Sequence, residues 1–331
     1  MKLEHAFAAA AAASLILAGC SSPADPADPA ATSDPTPDGG TQTIGLVSFS
    51  GTDPSANITL ASAMDWAEAS GYEVVLVDAN GQVDQANTAM QNLVQRGVAG
   101  IIVSVFPVDA LGAGIAAATE AGIPVVTGGG GVGEGIAVNV DDSQGETVTG
   151  QLIADAEPDG EVLTLTYLGG RPCQLRLASF DETVAADAPD LKVTRQAVTV
   201  PGQVESATSA TLAWLAAHPE GSASSLSIYA CFDDPALGAI SALTQTNRTD
   251  VKVYSFNGIP PALDAVKAGT MAATLWFDQA AVGTKLMEVL DGAIKNGIPA
   301  ESDQVPAPSV LVTADNYDSF VAEHPEAIEA G

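Results

Sequence analysis

The sequence predicts an α/β protein made of two similar, doubly wound parallel-sheet lobes. Three observations carry that expectation. Short apolar runs alternate with amphipathic stretches from Thr43 onward, the pattern of βαβ units whose sheet is covered on both faces. The same order of strands and helices recurs after about 120 residues, the mark of an internal repeat. The chain has 331 residues, 47% of them hydrophobic and 16% charged, which is material for about two domains, each with its own core.

The first lobe opens on Ile44-Gly-Leu-Val-Ser48, a continuous apolar run that reads as a buried strand. A helix over 56–70 follows, with Ile58, Leu60, Ala61, Met64 and Trp66 as its apolar members. Next come a strand over 73–77, a helix over 83–96, a strand over 100–104, a helix over 109–121 and a strand over 123–126. Gly97, Gly100 and Gly122 fall at helix ends, where a residue without Cβ takes a left-handed conformation at least cost. The second half places strands over 161–166, 191–196, 225–230 and 251–255, and helices over 174–187, 203–217, 235–246 and 260–268. Gly81-Gln-Val-Asp-Gln-Ala86 and Gly202-Gln-Val-Glu-Ser-Ala207 each open the second helix of their half, so the repeat is visible in residues as well as in order. Loops at the carboxyl ends of parallel strands bind ligands in such sheets. Segments 49–56, 104–109, 127–135, 167–176, 231–235 and 256–261 would therefore line a cleft between the lobes.

Ahead of the first strand the composition changes. Residues 6–18 (AFAAAAAASLILA) are apolar but too short for a hydrocarbon core of about 30 Å, and they match the central region of a secretory signal. The adjoining Leu17-Ala18-Gly19-Cys20 resembles the lipobox of bacterial lipoproteins. That resemblance implies a signal peptide over 1–19, lipidation of Cys20, and an extracytoplasmic protein anchored to the cell membrane. An ordinary secretory signal or a buried Ala-rich helix are the alternatives. Residues 20–43 contain no aromatic residue and no aliphatic larger than Ala. They cannot bury enough apolar surface to offset their ordering entropy, so they read as a disordered tether.

Charge narrows the partners. There are 41 Asp+Glu against 11 Lys+Arg, a net charge of −30, and no Lys or Arg between Lys2 and Arg96. A nucleic-acid binder must neutralise phosphates with cations, so nucleic acid is excluded as a partner. An anionic bilayer would repel this chain, and the membrane is reached through the lipid alone.

Few motifs carry chemistry. The run GGGGVGEG over 128–135 lacks the Lys-Ser/Thr of a phosphate loop and precedes Ile136-Ala-Val138 rather than a helix. It reads as a mobile cleft loop that lets a ligand approach backbone. Gly112-Ala-Gly114 lies within a helix and reads as close packing. His5, His218 and His324 have no metal-ligand spacing, and neither G-x-S-x-G nor H-E-x-x-H occurs. Asp233-Asp234 opens a helix and reads as a cap rather than an acid–base pair. No metal, cofactor or enzymatic activity is expected. With Cys20 lipidated, Cys173 and Cys231 remain, an even number in an oxidising exterior. First and third strands are neighbours in a doubly wound lobe, which sets the loop after 161–166 beside the end of 225–230. A Cys173–Cys231 disulfide is expected, with two buried free thiols as the alternative.

Several segments share one resemblance. They are QNLVQRGVAGIIVS, Ala121-Gly-Ile-Pro-Val-Val126, Asn139-Val-Asp141-Asp142 with Gly145, Arg176 four residues before Phe180, Asp233 with Ala236-Leu-Gly-Ala239, Phe256-Asn257-Gly258 with Pro260, and Lys267-Ala-Gly269 before Ala273-Thr274. In this order they resemble the sugar-binding members of the type I periplasmic binding proteins, the soluble receptors of ABC importers, over nearly all of 44–320. The resemblance implies a Venus-flytrap receptor that closes by hinge motion over a small polar ligand. It places an N-terminal lobe at 44–142 plus 278–306 and a C-terminal lobe at 143–277 plus 307–323, with crossovers near 142, 277 and 306. It implies a monomer that serves an ABC permease.

The family's ligand contacts carry over unevenly. Asp53 and Pro54 match the first-lobe loop, but Ser55 and Ala56 stand where the family has sugar-stacking aromatics. Gly129 lies where an acidic residue is common. Arg176 is retained and suits bidentate binding of hydroxyls or a carboxylate. Phe232 replaces an Asn before Asp233, Asn257 replaces an Asp, and Phe277 stands at the last hinge where Gln is common. Aromatics concentrate near the predicted strand ends: Phe49, Phe106, Tyr167, Phe232, Trp276 and Phe277, with Phe106 and Tyr167 read as core. The candidate ligand residues are Phe49, Asp53, Gly129, Arg176, Phe232, Asp233, Asn257, Trp276 and Phe277. A carbohydrate is the expected ligand, while a nucleoside or an amine would use the same aromatic faces. A chemosensory receptor would differ in partner and not in fold.

Overall fold

A computed structural model describes residues 41–141, 147–299 and 301–329. The proposed signal segment, Cys20 and the tether as far as residue 40 lie outside the described residues, as does the crossover near 142 with Asp142 and Gly145.

Two six-stranded sheets form the body. The first contains β1 (Thr43–Ser48), β2 (Glu73–Asp78), β3 (Gly100–Ser104), β4 (Val125–Gly128), β5 (Val138–Asp141) and β11 (Asp303–Pro306), in the order β11-β5-β4-β3-β1-β2. The second contains β6 (Glu161–Thr166), β7 (Lys192–Ala197), β8 (Leu226–Ala230), β9 (Val251–Asn257), β10 (Ala273–Phe277) and β12 (Ser309–Thr313), in the order β12-β10-β9-β8-β6-β7. All pairs are parallel except β10 with β12. Burial follows position in the sheet: β3, β8 and β10 are buried throughout, whereas β2 and β7 at the edges carry exposed residues.

Helices cover the sheets: α1 (Pro54–Ala69), α2 (Val83–Gln95) and α3 (Gly112–Glu120) in the first half, then α4 (Thr147–Ala156), α5 (Arg171–Asp187), α6 (Gln203–Ala217), α7 (Asp233–Gln245) and α8 (Pro260–Lys267). From β10 the chain crosses at Asp278 into α9 (Gln279–Asn296), which packs on α1. It crosses back between β11 and β12, and α10 (Tyr317–Glu323) and α11 (Glu326–Glu329) follow. No helix among the described residues is long and apolar enough to cross a membrane.

Element boundaries differ from expectation where side chains intervene. The first strand begins at Thr43, paired with Glu73, one residue inside the expected tether. The helix read as 56–70 begins at Pro54, because the Asp53 carboxylate accepts hydrogen bonds from the Ser55 and Ala56 amides and caps it. The expected helix over 109–121 is split into a 3₁₀ turn (Val108–Leu111) and α3. Asn87 explains the break: its Nδ2 donates to Ala110 O (2.9 Å) and its Oδ1 accepts from Gly114 N (2.8 Å), the two groups that a continuous α-helix would pair.

Each half uses one glycine for close helix packing. A Cβ at Gly283 would lie 2.1 Å from Thr59 O, between α9 and α1, and one at Gly238 would lie 2.4 Å from Val204 O, between α7 and α6. Backbone cannot yield as a flexible side chain can. Gly283→Ala is therefore expected to push α9 from α1 and to cost about 1–3 kcal/mol, read as a lower midpoint in urea denaturation.

Candidate functional site

In each sheet the strand order reverses next to the first strand, between β1 and β3 and between β6 and β8. Loops leave in opposite directions at such a point and open a crevice at the strands' carboxyl ends. Here both crevices face one cavity. From the first half Phe49 follows β1, Ser104 ends β3 and Val105 follows it; from the second, Tyr167 follows β6 and Phe232 follows β8. Asp53, Ser55, Ala56, Thr59, Gly128, Gly170, Pro172, Cys173, Arg176, Asn257 and Val282 complete the wall. The centres of water-sized spheres fit over about 60 Å³, several times the roughly 10–15 Å³ that one water needs.

Arg176 is the charged centre of this wall and is 2% exposed. A buried guanidinium is costly unless its donors are used. Its Nη1 donates to Cys231 O (2.7 Å) and to Asn257 Oδ1 (3.1 Å). Its carbon lies 4.7 Å from the Phe256 ring centre and 5.3 Å from that of Phe277, within cation–π range. Tyr229 Oη donates to Arg176 O (2.8 Å), fixing the backbone from which the side chain departs.

Local sequence explains how the arginine is aimed. Cys173 precedes it by three residues on α5, so both lie on one helix face. Cys173 is disulfide-bonded to Cys231 at the end of β8, with Cα atoms 5.2 Å apart. The bond draws α5 to the strand end whose carbonyl receives Arg176. Asn257 reaches it from β9 with φ +101°, a left-handed value that a non-glycine residue holds only when its surroundings enforce it. Gln279 Nε2 supplies one restraint, donating to Asn257 O at 2.5 Å.

The two halves touch around the cavity. Tyr167 Oη donates to Gly81 O (2.8 Å), Gln203 Nε2 to Thr52 O (3.0 Å) and Arg171 N to Val105 O (2.9 Å). Phe49 meets Tyr167 with ring centres 5.6 Å apart. Burial pushes the Tyr167 hydroxyl pKa upward, keeping it protonated as a donor. Val105 is β-branched yet has φ +72°, a genuine outlier, and this turn is what directs its carbonyl at Arg171.

Five of the nine residues singled out from sequence, Phe49, Asp53, Arg176, Phe232 and Asn257, line the cavity together. Four stand outside it. Gly128 lines the wall in place of Gly129, and the glycine run is pinned rather than open. Asn139 Oδ1 accepts from Thr127 Oγ1 (2.8 Å) and Gly131 N (3.0 Å), while Arg171 Nη1 donates to Gly129 O (3.4 Å). Successive strand residues face opposite ways, so β10 sends Phe277 toward Arg176 while Trp276 turns to Phe320 and His324, 5.3 and 4.7 Å between ring centres.

Asp233 corrects the reading of that residue as a cap of its own helix. Its carboxylate makes no such bond. It accepts instead from Ser255 Oγ, from Thr274 Oγ1 (2.9 Å) and from the Ile259 amide (2.8 Å) at the start of α8. Complete burial pushes its pKa up to about 6, against the pull of those donors and of Arg176. It thus clamps the segment that carries Asn257.

Sequence reasoning missed Thr59 and Val282, and it placed Ser104 in the cleft segment 104–109 without singling it out. Ser104 was within reach of it, because it ends β3 at the reversal point, and its Oγ is buried without a partner among the described residues. Thr59 and Val282 sit inside helices and have no local signal. For Asp233, Asp233→Ala would strand three donors, at about 1–3 kcal/mol for each buried unpaired group. A loss of at least about 2 kcal/mol is expected by denaturant titration, with reduced protection from hydrogen exchange over 255–260.

The family described as "periplasmic binding protein domain" matches residues 44–298. The ribose import binding protein of Salmonella typhimurium is 28% identical over 236 residues, 69% of this chain and 77% of that protein. The xylitol-binding protein of Mycolicibacterium smegmatis is 29% identical over 335 residues, 96% of this chain and 87% of that protein. An ABC transporter solute binding protein from Agrobacterium vitis, solved with bound allitol, matches with TM-score 0.77 and 22% identity over 86% of this chain and 99% of its own. One from Mycobacterium smegmatis, solved with bound glycerol, matches with TM-score 0.74 and 28% identity over 85% of this chain and 97% of its own. The two doubly wound lobes and the match over most of the chain agree: the chain belongs to the periplasmic binding protein family.

Proposed function

We propose that this protein is an extracytoplasmic solute receptor that captures a small sugar or sugar alcohol and delivers it to an ABC transporter. The observation that carries the reading is a cavity at both strand-order reversals, walled by both lobes and centred on a buried arginine. Relatives named for ribose and xylitol, and neighbours solved with allitol and glycerol, support polyhydroxylated ligands. Arg176, Asn257 and Ser104 would read hydroxyls, while Phe49 and Phe232 would cover C–H faces. A ligand that touches both lobes favours the closed form by its differential affinity, and capture follows. We further assign Cys20 as a lipid anchor, the working unit as a monomer, and a permease as its partner. Ligand transport, not catalysis, is the business of this family.

Thermal-shift measurements against ribose, xylitol, allitol, myo-inositol, adenosine and choline test the ligand class. At a hundred times Kd a ligand adds about 2.7 kcal/mol, so a rise of several degrees is expected with at least one sugar or polyol. Shifts confined to adenosine or choline would overturn the sugar reading. For the ligand that binds, Ser104→Ala is expected to weaken affinity about 2–10-fold with unchanged stability, the worth of one neutral hydrogen bond.

A further inference from the structure

Beside the cavity the lobes meet at a second polar contact, at the start of α6. Gln203 is 4% exposed, and its Nε2 donates to Thr52 O in the first lobe at 3.0 Å. The same nitrogen lies 3.3 Å from Asp234 Oδ2, in the first turn of α7 and only 7% exposed. Across the interface stands Asp53, the residue after Thr52 and the cap of α1. The charges acting on Asp234 are those of Asp53, from the loop before α1, and Asp233, from its own helix; α6 contributes only the neutral Gln203. Arg176 acts on Asp233, on the far side of the cluster. Among the described residues Gln203 Oε1 is buried with no partner, an acceptor lacking a donor.

We propose that Gln203 and Asp234 are positioning residues that govern closure of the cleft, and that closure takes up one proton at Asp234. Closure brings an ionised Asp234 within the field of Asp53, both of them buried at the interface, and so sets like charges together. A proton on Asp234 removes that repulsion, against the single hydrogen bond by which Gln203 Nε2 favours the charged form. Burial first, and Asp53 second, push the Asp234 pKa up to about 7 in the closed form. Opening withdraws Asp53 and readmits water, so the pKa falls toward the ordinary carboxylate range. The closed form therefore holds the proton more tightly. The ratio of closed to open is highest below the open-state pKa, falls by up to tenfold per pH unit as pH rises toward about 7, and is level above it. Among the described residues Asp233 hydrogen-bonds groups of its own lobe, so its titration reaches closure only through its charge on Asp234. The proposal uses the closing motion of the proposed function but not the identity of its ligand, and the two can fail separately.

The test is an interlobe distance measured without ligand in the full chain, with spin labels at Thr88→Cys and Ser209→Cys, from pH 5 to 8.5. The expected result is a closed fraction that falls up to about pH 7 and then levels, a step absent in Asp234→Asn. Gln203→Leu is expected to lower the closed fraction at every pH. Asp53→Asn, which keeps a capping side chain and leaves Asp234 in place, is expected to move the step to lower pH; it keeps the test open should Asp234→Asn fail to fold. A flat profile in the unsubstituted protein, the same step in Asp234→Asn, or an unmoved step in Asp53→Asn would overturn the proposal.

Discussion

A guanidinium buried at the meeting point of two lobes sets the terms for everything around it. Arg176 remains there because Cys231 O and Asn257 Oδ1 accept its protons and two phenylalanine rings flank its plane. Each support has a support of its own. The Cys173–Cys231 bond holds the helix to the strand end, Gln279 holds the left-handed Asn257, and Asp233 holds the segment after it. The hydrogen bonds that aim Arg176 are therefore in place before a ligand arrives, which lowers the ordering cost of binding.

The first lobe contributes differently. Its wall is made of short side chains, Ser55, Ala56, Thr59 and Ser104, with Phe49 as the one large apolar surface. Between the lobes run hydrogen bonds that engage main-chain carbonyls, at Gly81, Thr52 and Val105. Such bonds depend on the lobes' separation and little on sequence in the partner, which suits a contact that must form and break. Gln279 links the two roles, since it starts α9 just after the Asp278 crossover and bonds the cavity residue Asn257.

How much of this was legible in the sequence depended on how local the determinants are. Strands were legible because a parallel sheet covered on both faces needs continuous apolar runs, and Ile44–Ser48 or Gly100–Ser104 can serve nothing else. Site residues at strand ends, such as Phe49, Phe232 and Asn257, follow from topology once the repeat is seen. Trp276 was misplaced because proximity to a strand end does not say which face a residue takes; only the two-residue alternation relative to Phe277 decides it. Asp233 was misread because a local rule for helix starts competed with a distant clamp on α8, and burial gave the clamp the advantage. Thr59 and Val282 share the cavity wall because α9 returns to the first lobe through a crossover and packs on α1, a pairing that no pattern within either helix encodes.

The measurement that bears most directly on the central claim is a crystal structure of the protein grown with the polyol or sugar that raises its melting temperature most. The expected result is ligand density in the cavity between the ends of β1, β3, β6 and β8, with a ligand oxygen within hydrogen-bond distance of Arg176 and contacts from both lobes. Density elsewhere, for instance in the groove behind the crossover lined by Trp276, Asp278 and Glu326, with Arg176 untouched, would contradict it.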